Sequence, residues 1–285
     1  MKGDRRMRKF TCFLFLLLTV CTLSAKAYTT PDRNIPIDIS VNGSFIKTDA
    51  PAFIEYDTTF VPIRFVSDAL GADSVEWEPG SATATIRHGN MTIKITENEK
   101  YAYVNGVKTA LHKSAGIYGQ RMYVPVRFVS ETFGATVNWD ATYYTVQIQK
   151  SGVSVDSSLI DRRYTTDEIF WLGRIIEAES AGEPVRGKIG VGNVVLNRVN
   201  SSEFPNTIYE VIFDRKYGVQ FEPILNGTIY NTPSNESIIS AKRALRGENT
   251  VGQSLYFLNP RIATSNWITN NRTYYTTIKN HDFYL

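Results

Sequence analysis

Only two cysteines occur in the 285 residues, and both, Cys12 and Cys21, fall in an amino-terminal stretch that reads as a leader. With that stretch removed the chain has neither thiol nor disulfide, which excludes a cysteine nucleophile and any thiolate metal site. Histidine is as scarce. His88, His112 and His281 are far apart, no His, Cys or Met cluster stands at ligand spacing, and no metal or cofactor is expected. A zinc amidase or endopeptidase would need about three protein ligands, and the second half of the chain offers one histidine. No Gly-x-Ser-x-Gly occurs, so a serine hydrolase lacks its nucleophile elbow. Beyond the leader no apolar run is long enough to span a bilayer, and no stable membrane insertion is expected.

The leader itself is well formed. Lys2, Arg5, Arg6, Arg8 and Lys9 precede the apolar run Phe10 to Val20, and Ala25-Lys26-Ala27 supplies a small-x-small cleavage site, so residues 1–27 read as a secretory signal peptide. Leu18-Thr19-Val20 ahead of Cys21 lacks the small residues of a lipoprotein box. The leader holds six of the 31 basic residues and one of the 28 acidic ones, which leaves 25 against 27, a formal charge of −2. The sequence pI of 8.7 therefore overstates the basicity of the mature protein, and a nucleic-acid partner is not expected. A secreted location follows from the leader.

The first half of the mature chain repeats itself. Val61-Pro62-Ile63-Arg64-Phe65-Val66-Ser67 recurs as Val124-Pro125-Val126-Arg127-Phe128-Val129-Ser130, 63 positions on. Val41-Asn42-Gly43 recurs as Val104-Asn105-Gly106 and Gly71-Ala72 as Gly134-Ala135; Trp77 matches Trp139 at 62. Each copy predicts an Asn-Gly turn between strands, a strand ending in Val-Pro, a short helix carrying Arg-Phe-Val, then a Trp-containing strand and a Thr/Val/Ile strand. Arg64 and Arg127 are expected to lie over the core with their heads on backbone carbonyls. Trp77 and Trp139 are expected in the core. This pattern resembles the stalk-type module named after the amino-terminal domain of copper amine oxidases, for which the resemblance implies a spacer or a wall-binding element. Copper has no ligands here.

Ser151 to Arg163 carries no sustained periodicity and marks a linker. The expected organisation is a signal peptide (1–27), a duplicated stalk-type module (28–150), a linker (151–164) and a second domain (165–285).

In that second domain Thr165 and Glu168 read as a capping box, so a helix begins near Thr166. Its apolar stripe runs Ile169, Leu172, Ile176, and the next position on the stripe is Glu179. An ionised carboxylate on a core-facing stripe pairs, stays protonated or lines a cleft. Glu177, roughly 200° around the helix, reads as a solvated partner of Arg174. Gly182 suits the residue after the helix, Pro184 the first turn of the next one, and Glu183 an N-cap. Gly187, Gly190 and Gly192 in that next helix imply close packing of the two helices.

Several short motifs then appear in order: Ala178-Glu179-Ser180-Ala181-Gly182-Glu183-Pro184, Gly187, Val194-Val195-Leu196-Asn197-Arg198-Val199, Phe204-Pro205-Asn206-Thr207-Ile208, Gln220-Phe221-Glu222-Pro223 and Asn280-His281-Asp282-Phe283-Tyr284. In these the chain resembles the catalytic domain of spore-cortex-lytic, or cell-wall, hydrolases. The resemblance implies a mainly helical fold like goose-type lysozymes and lytic transglycosylases, and cleavage of the β-1,4 bond after N-acetylmuramic acid. It also implies that Glu179 is the catalytic acid, the residue the helical stripe singles out independently. Glu183, Gln220, Phe221, Tyr256 and His281 are the candidate substrate contacts. Gln220 would meet a sugar acetamido group or hydroxyl, and Phe221 a pyranose face. His281 would contact substrate or tie down the terminus.

No second carboxylate stands at a defensible spacing. A lytic transglycosylase needs none, since the substrate's own C6 hydroxyl can attack C1 while one glutamate serves as acid and then base. Hydrolysis, or a wall-binding protein without activity, are the alternatives. The fold class expected is α+β and multidomain: a β-rich duplicated stalk with short helices, then a mainly helical domain acting on peptidoglycan glycan strands.

Overall fold

Two tight Asn-Gly turns set the pattern of the β-rich half. Asn42 and Gly43 both take positive φ, 49° and 85°, as do Asn105 and Gly106 at 51° and 82°. Their twist matches that of the flanking strands, which is why Asn-Gly closes two-residue hairpins. In the computed structural model, which describes residues 35–216 and 218–285, these turns join β1 (Asp38–Val41) to β2 (Ser44–Phe45) and β8 (Tyr101–Val104) to β9 (Val107–Ala110). The signal peptide expected over residues 1–27 lies outside the described residues.

The remaining strands of this half are β3 (Phe53–Glu55), β4 (Thr58–Pro62), β5 (Ser74–Glu78), β6 (Thr83–His88), β7 (Met91–Thr96), β10 (Gly116–Tyr118), β11 (Arg121–Pro125), β12 (Thr136–Asp140) and β13 (Thr145–Gln149). They form three sheets, ordered β5-β6-β7-β8-β9, β12-β13-β1-β2 and β10-β11-β4-β3. In the second, β1 lies parallel to β13, Asp38 opposite Thr145, so the start of the described chain closes the sheet that its later part begins. In the third, β4 and β11 run antiparallel with Val61 opposite Val124.

Each of these two strands ends in proline and turns straight into a short helix, α1 (Ile63–Ala69) or α2 (Val126–Thr132). Proline cannot donate to the ladder and its fixed φ suits a helix entry. Gly71 and Gly134, at φ 88° and 77°, follow the helix ends and stop them. Val66 and Val129 turn inward with Ile39, Val41, Ile86, Val124 and Ile148 to make one core.

Arg127 places its guanidinium on the Val137 carbonyl at 2.9 Å, the backbone role expected of it. The tryptophans depart from expectation. Trp77 and Trp139 are 41 % and 40 % exposed, because β5 and β12 are edge strands and both rings stand beyond the limit of the core. The segment 151–164 is laid along β2: Lys47 and Asp161 exchange backbone bonds with Leu159 and Phe45 at 2.8 Å.

The helical half comprises α3 (Thr166–Ser180), α4 (Val185–Val199), α5 (Ile208–Phe213), α6 (Pro223–Asn226), a 3-10 turn (Thr228–Tyr230), α7 (Asn235–Leu245) and α8 (Trp267–Asn271). A sheet ordered β14 (Tyr256–Leu258), β16 (His281–Tyr284), β15 (Tyr274–Ile278) backs it. The Thr165/Glu168 capping box is present in full. Gly192 does bring α4 onto α3, since an added Cβ would meet Ile176 at 3.0 Å. Gly187 and Gly190 do something else. Their faces meet Ile278 and Phe283 of the carboxy-terminal hairpin, so two of the three glycines admit strands rather than a helix.

Three local expectations fail. Gly182 does follow the α3 C-cap Ala181, without a left-handed φ, but Pro184 is the N-cap of α4 rather than its first residue and Glu183 does not cap it. Glu177 makes no pair with Arg174. Its Oε2 accepts from the Ser234 amide (3.0 Å) and the Ser234 and Ser237 hydroxyls (2.5 and 2.7 Å), while Arg174 donates to the Ile229 and Asn231 carbonyls. The start of α7 presents unpaired donors, and their pull on a carboxylate exceeds that of a surface cation.

Where the two halves meet, Tyr164, Ile169 and Ile238 pack with Phe45, Tyr143 and Tyr144. Beside them Asp38 of β1 is ringed by cations. Lys242 Nζ lies 2.8 Å from Oδ2 and Arg246 Nη2 2.5 Å from Oδ1, which also accepts from the Tyr164 hydroxyl at 2.8 Å. Lys242 is wholly buried and also donates to the Tyr143 and Tyr144 carbonyls. Among the described residues no helix is long and apolar enough to cross a membrane.

Candidate active site

Glu179 is the penultimate residue of α3, placed after Leu172, Ile175 and Ile176 have fixed that face against the core. The next inward position opens onto a cleft of about 1860 Å³, lined from the opposite side by the segment around Gln220 to Thr228, by β14 and by the Ile262 to Arg272 stretch. The Glu179 carboxyl is half-buried and makes no hydrogen bond among the described residues. Desolvation raises its pKa to about 7; the field of Glu222 adds to that, and Arg198 opposes it. A carboxyl in this state holds its proton near neutrality and can still give it up.

Arg198 comes from α4. It is 5 % exposed, its Nε donates to the Leu255 carbonyl at 2.8 Å, and its guanidinium lies 4.9 to 5.5 Å from the ring centres of Phe204, Phe221 and Tyr256. Burial pulls its pKa down to about 10, against Tyr256, Asp214 and Glu179, so it remains a cation. Its Nη1 is buried without a partner among the described residues. Glu222, at the head of α6, is exposed in the same cleft.

The expected substrate contacts divide. Gln220, Tyr256 and His281 line the cleft with Glu179. The Gln220 amide donates to the Gly218 carbonyl at 3.1 Å. Tyr256 forms the floor, its hydroxyl accepting from Arg272 at 2.7 Å and its ring facing Trp267. His281 is buried against Phe257 and Phe283; desolvation lowers its pKa, with Glu183 and Asp282 opposing. Phe221 touches the cleft only at its edge. It is 2 % exposed, packed on Phe257 and Arg198, so no pyranose can lie on its face.

Glu183 is not in the cleft. Its carboxylate accepts from the Asn280 side chain at 2.7 Å and the Asn280 amide at 3.3 Å, tying α4's entry to the β15–β16 turn. The reason is the two-residue step from Ala181, which carries the chain off the α3 stripe before Glu183 is reached. Tyr230, Tyr274 and Tyr275 are exposed away from the cleft lining.

Sequence reading missed Arg198, Glu222 and Trp267. A signal existed for Arg198: Val191, Val194 and Val195 set a buried face in α4, and Arg198 is its next position. Among the described residues no group of three His, Cys, Asp or Glu gathers as a metal site.

Residues 40–148 match the family described as copper amine oxidase N-terminal domain, and residues 182–284 match the family described as cell wall hydrolase. A spore cortex-lytic enzyme of Bacillus cereus is 30 % identical over 237 residues, which cover 73 % of this chain and 88 % of that protein. The cell wall hydrolase CwlJ of Bacillus subtilis is 29 % identical over 129 residues, 43 % of this chain and 87 % of that one. Among solved structures, the catalytic domain of the germination-specific lytic transglycosylase SleB from Bacillus anthracis is 35 % identical, with a TM-score of 0.41, covering 44 % of this chain and all of that domain. With a relative at this identity extending through most of both proteins, the chain belongs to the spore cortex-lytic enzyme family of cell-wall hydrolases.

Proposed function

We propose that this protein is an exported glycosidase that cuts the β-1,4 bond between N-acetylmuramic acid and N-acetylglucosamine in spore-cortex or cell-wall peptidoglycan, with Glu179 as its acid. The single observation that carries the reading is a half-buried carboxyl, its pKa raised to about 7, at the wall of a cleft of about 1860 Å³. Protonated Glu179 would deliver its proton to the bridging oxygen, and the carboxylate left behind would then take a proton from the attacking hydroxyl. Arg198 supports the second state, because a nearby buried cation favours the carboxylate. The preferred nucleophile is the C6 hydroxyl of the same muramic acid, giving a 1,6-anhydro end.

Hydrolysis is the second reading, and Glu222 favours it, since a second carboxylate on the cleft wall can hold a water against C1. Residues 28–150 are read as two copies of one stalk unit that holds the enzyme at the wall, residues 151–164 as a connector and residues 165–285 as a catalytic domain of the lysozyme and lytic-transglycosylase type.

The test is cleavage of purified peptidoglycan by the full chain and by Glu179→Gln, followed by mass analysis of the ends. Anhydro ends from the wild type and none from the variant are expected. Reducing ends would transfer the assignment to hydrolysis with Glu222. Equal clearing by both proteins would remove Glu179 from the reaction.

A further inference from the structure

Two grooves in the β-rich half are made from the same parts. Every residue lining the groove beside α1 has a counterpart, 62 or 63 positions away, lining the groove beside α2. Arg64, Phe65 and Trp77 line the first; Arg127, Phe128 and Trp139 line the second. The correspondence crosses over: Ile117 and Met122 complete the first groove, and their counterparts Ile54 and Thr59 complete the second. The pairing of β4 with β11 explains this. Val61 faces Val124, Phe60 faces Pro125 and Pro62 faces Tyr123, a register that maps onto itself when each residue is exchanged for the one 63 positions away. A local two-fold axis therefore runs through the Val61–Val124 pair, and the grooves, of about 450 and 650 Å³, are its two images.

Each groove offers one flat apolar ring and one fork of donors. The indoles are 41 % and 40 % exposed, near-equal values at two related positions. Scattered exposed aromatics are ordinary, but a large ring kept open twice inside a concave site is a binding feature. Arg127 is steadied by the Val137 carbonyl and by Glu131 one turn on; Arg64 stands next to Asp68 at the same helical spacing. A pyranose matches this pairing, with an apolar face of C–H groups for the indole and an oxygen-rich edge for the guanidinium. A polymer of repeating sugars matches the duplication, since one strand can meet two like sites.

We propose that the two grooves are equivalent binding sites for the glycan strand of peptidoglycan, each seating an N-acetylated hexosamine on Trp77 or Trp139 with Arg64 or Arg127 donating to its hydroxyl or acetamido oxygens. This rests on the reading of the helical half as an enzyme of that polymer, and it makes the β-rich half the part that retains the protein on the wall.

The experiment is co-sedimentation of the full chain, carrying Glu179→Gln so that nothing is cut, with insoluble peptidoglycan and with glycan strands stripped of their stem peptides. Trp77→Ala and Trp139→Ala should each weaken retention about tenfold and to the same extent, as loss of an anchoring aromatic from one of two like sites requires. The double variant should fall further on both materials. Arg64→Gln with Arg127→Gln gives the same readout without opening a cavity, should the tryptophan variants fail to fold. Retention of the double variants at the wild-type level would overturn the proposal, and so would loss on intact peptidoglycan with none on stripped strands. Neither result bears on cleavage by wild type against Glu179→Gln, which tests the enzyme reading by itself.

Discussion

Asp38 and Glu179 are both carboxylates drawn away from water, and the protein treats them in opposite ways. Asp38 sits at the meeting of the two halves and collects Lys242, Arg246 and the Tyr164 hydroxyl within 2.8 Å. Glu179 borders the cleft and collects nothing. The first arrangement spends two cations and a phenol on one charge, so the carboxylate can only be part of a joint. Holding Tyr164 and Arg246 against it also fixes how the helical half is carried. The second leaves a desolvated group that meets its environment by keeping a proton, and a proton held at about pH 7 is transferable. Burial of charge is thus structural where partners are supplied and, on the proposed function, chemical where they are withheld.

The largest expected effect separates the two by activity. Glu179→Gln preserves shape and removes the transferable proton, so turnover on peptidoglycan should drop by about 10²- to 10⁴-fold, the usual share of general acid–base catalysis. Unfolding by urea should show no loss of stability. A variant that cleaves at more than a tenth of the wild-type rate would break the contrast on the catalytic side.

Asp38→Asn tests the structural side. It leaves Lys242 fully buried and Arg246 mostly so without the carboxylate that bonds them, and removal of one member of a buried pair costs about 3–5 kcal/mol. Denaturant titration of the full chain should show the midpoint falling accordingly. Replacing Lys242 by Met in the same background should recover part of the loss, since an apolar pair tolerates burial. No change in midpoint with Asp38→Asn would mean the joint contributes little.

A pH series sharpens the comparison further. The folded pKa of Glu179, about 7, lies above the ordinary 4.5 of a glutamate. Between those values the folded protein holds a proton that the unfolded chain has lost, so this group's contribution to stability declines as pH rises from about 4.5 to 7. Glu179→Gln should abolish that component of the slope. The same titration should impose the alkaline limb of the activity profile near pH 7. An activity that stays flat from pH 6 to 9 would contradict it.

How much of this was legible in the chain follows from the range of the interactions. Glu179 could be found because Ile169, Leu172 and Ile176 define a helical face within one element, and the same reasoning applied to Val191, Val194 and Val195 leads to Arg198. Strand-turn-strand units around Asn42-Gly43 and Asn105-Gly106 were readable for the same reason. The Asp38 joint was not, because its partners lie from 126 to 208 positions away and no local pattern in β1 marks Asp38. Glu222 became a neighbour of Glu179 only when the cleft was assembled. The tryptophans were misplaced because an aromatic in an alternating strand signals burial only if the strand is covered, and β5 and β12 are edges.

Glu177 supplies the smallest effect and the finest test. It lies on the same helix as Glu179, two residues away, yet burial that would raise its pKa is outweighed by the Ser234 and Ser237 bonds and by the field of Lys188, and its pKa is lowered. A lowered carboxylate contributes stability above its ordinary pKa and loses it as pH falls through the folded value, the reverse of Glu179. Glu177→Gln keeps one acceptor for the start of α7 but removes the charge, and should cost about 1 kcal/mol at pH 7 and less at pH 3, read from urea midpoints at the two pH values. If the loss were the same at both, the bonds to Ser234 and Ser237 would owe nothing to the charge, and the difference between the two glutamates of α3 would have to come from burial alone.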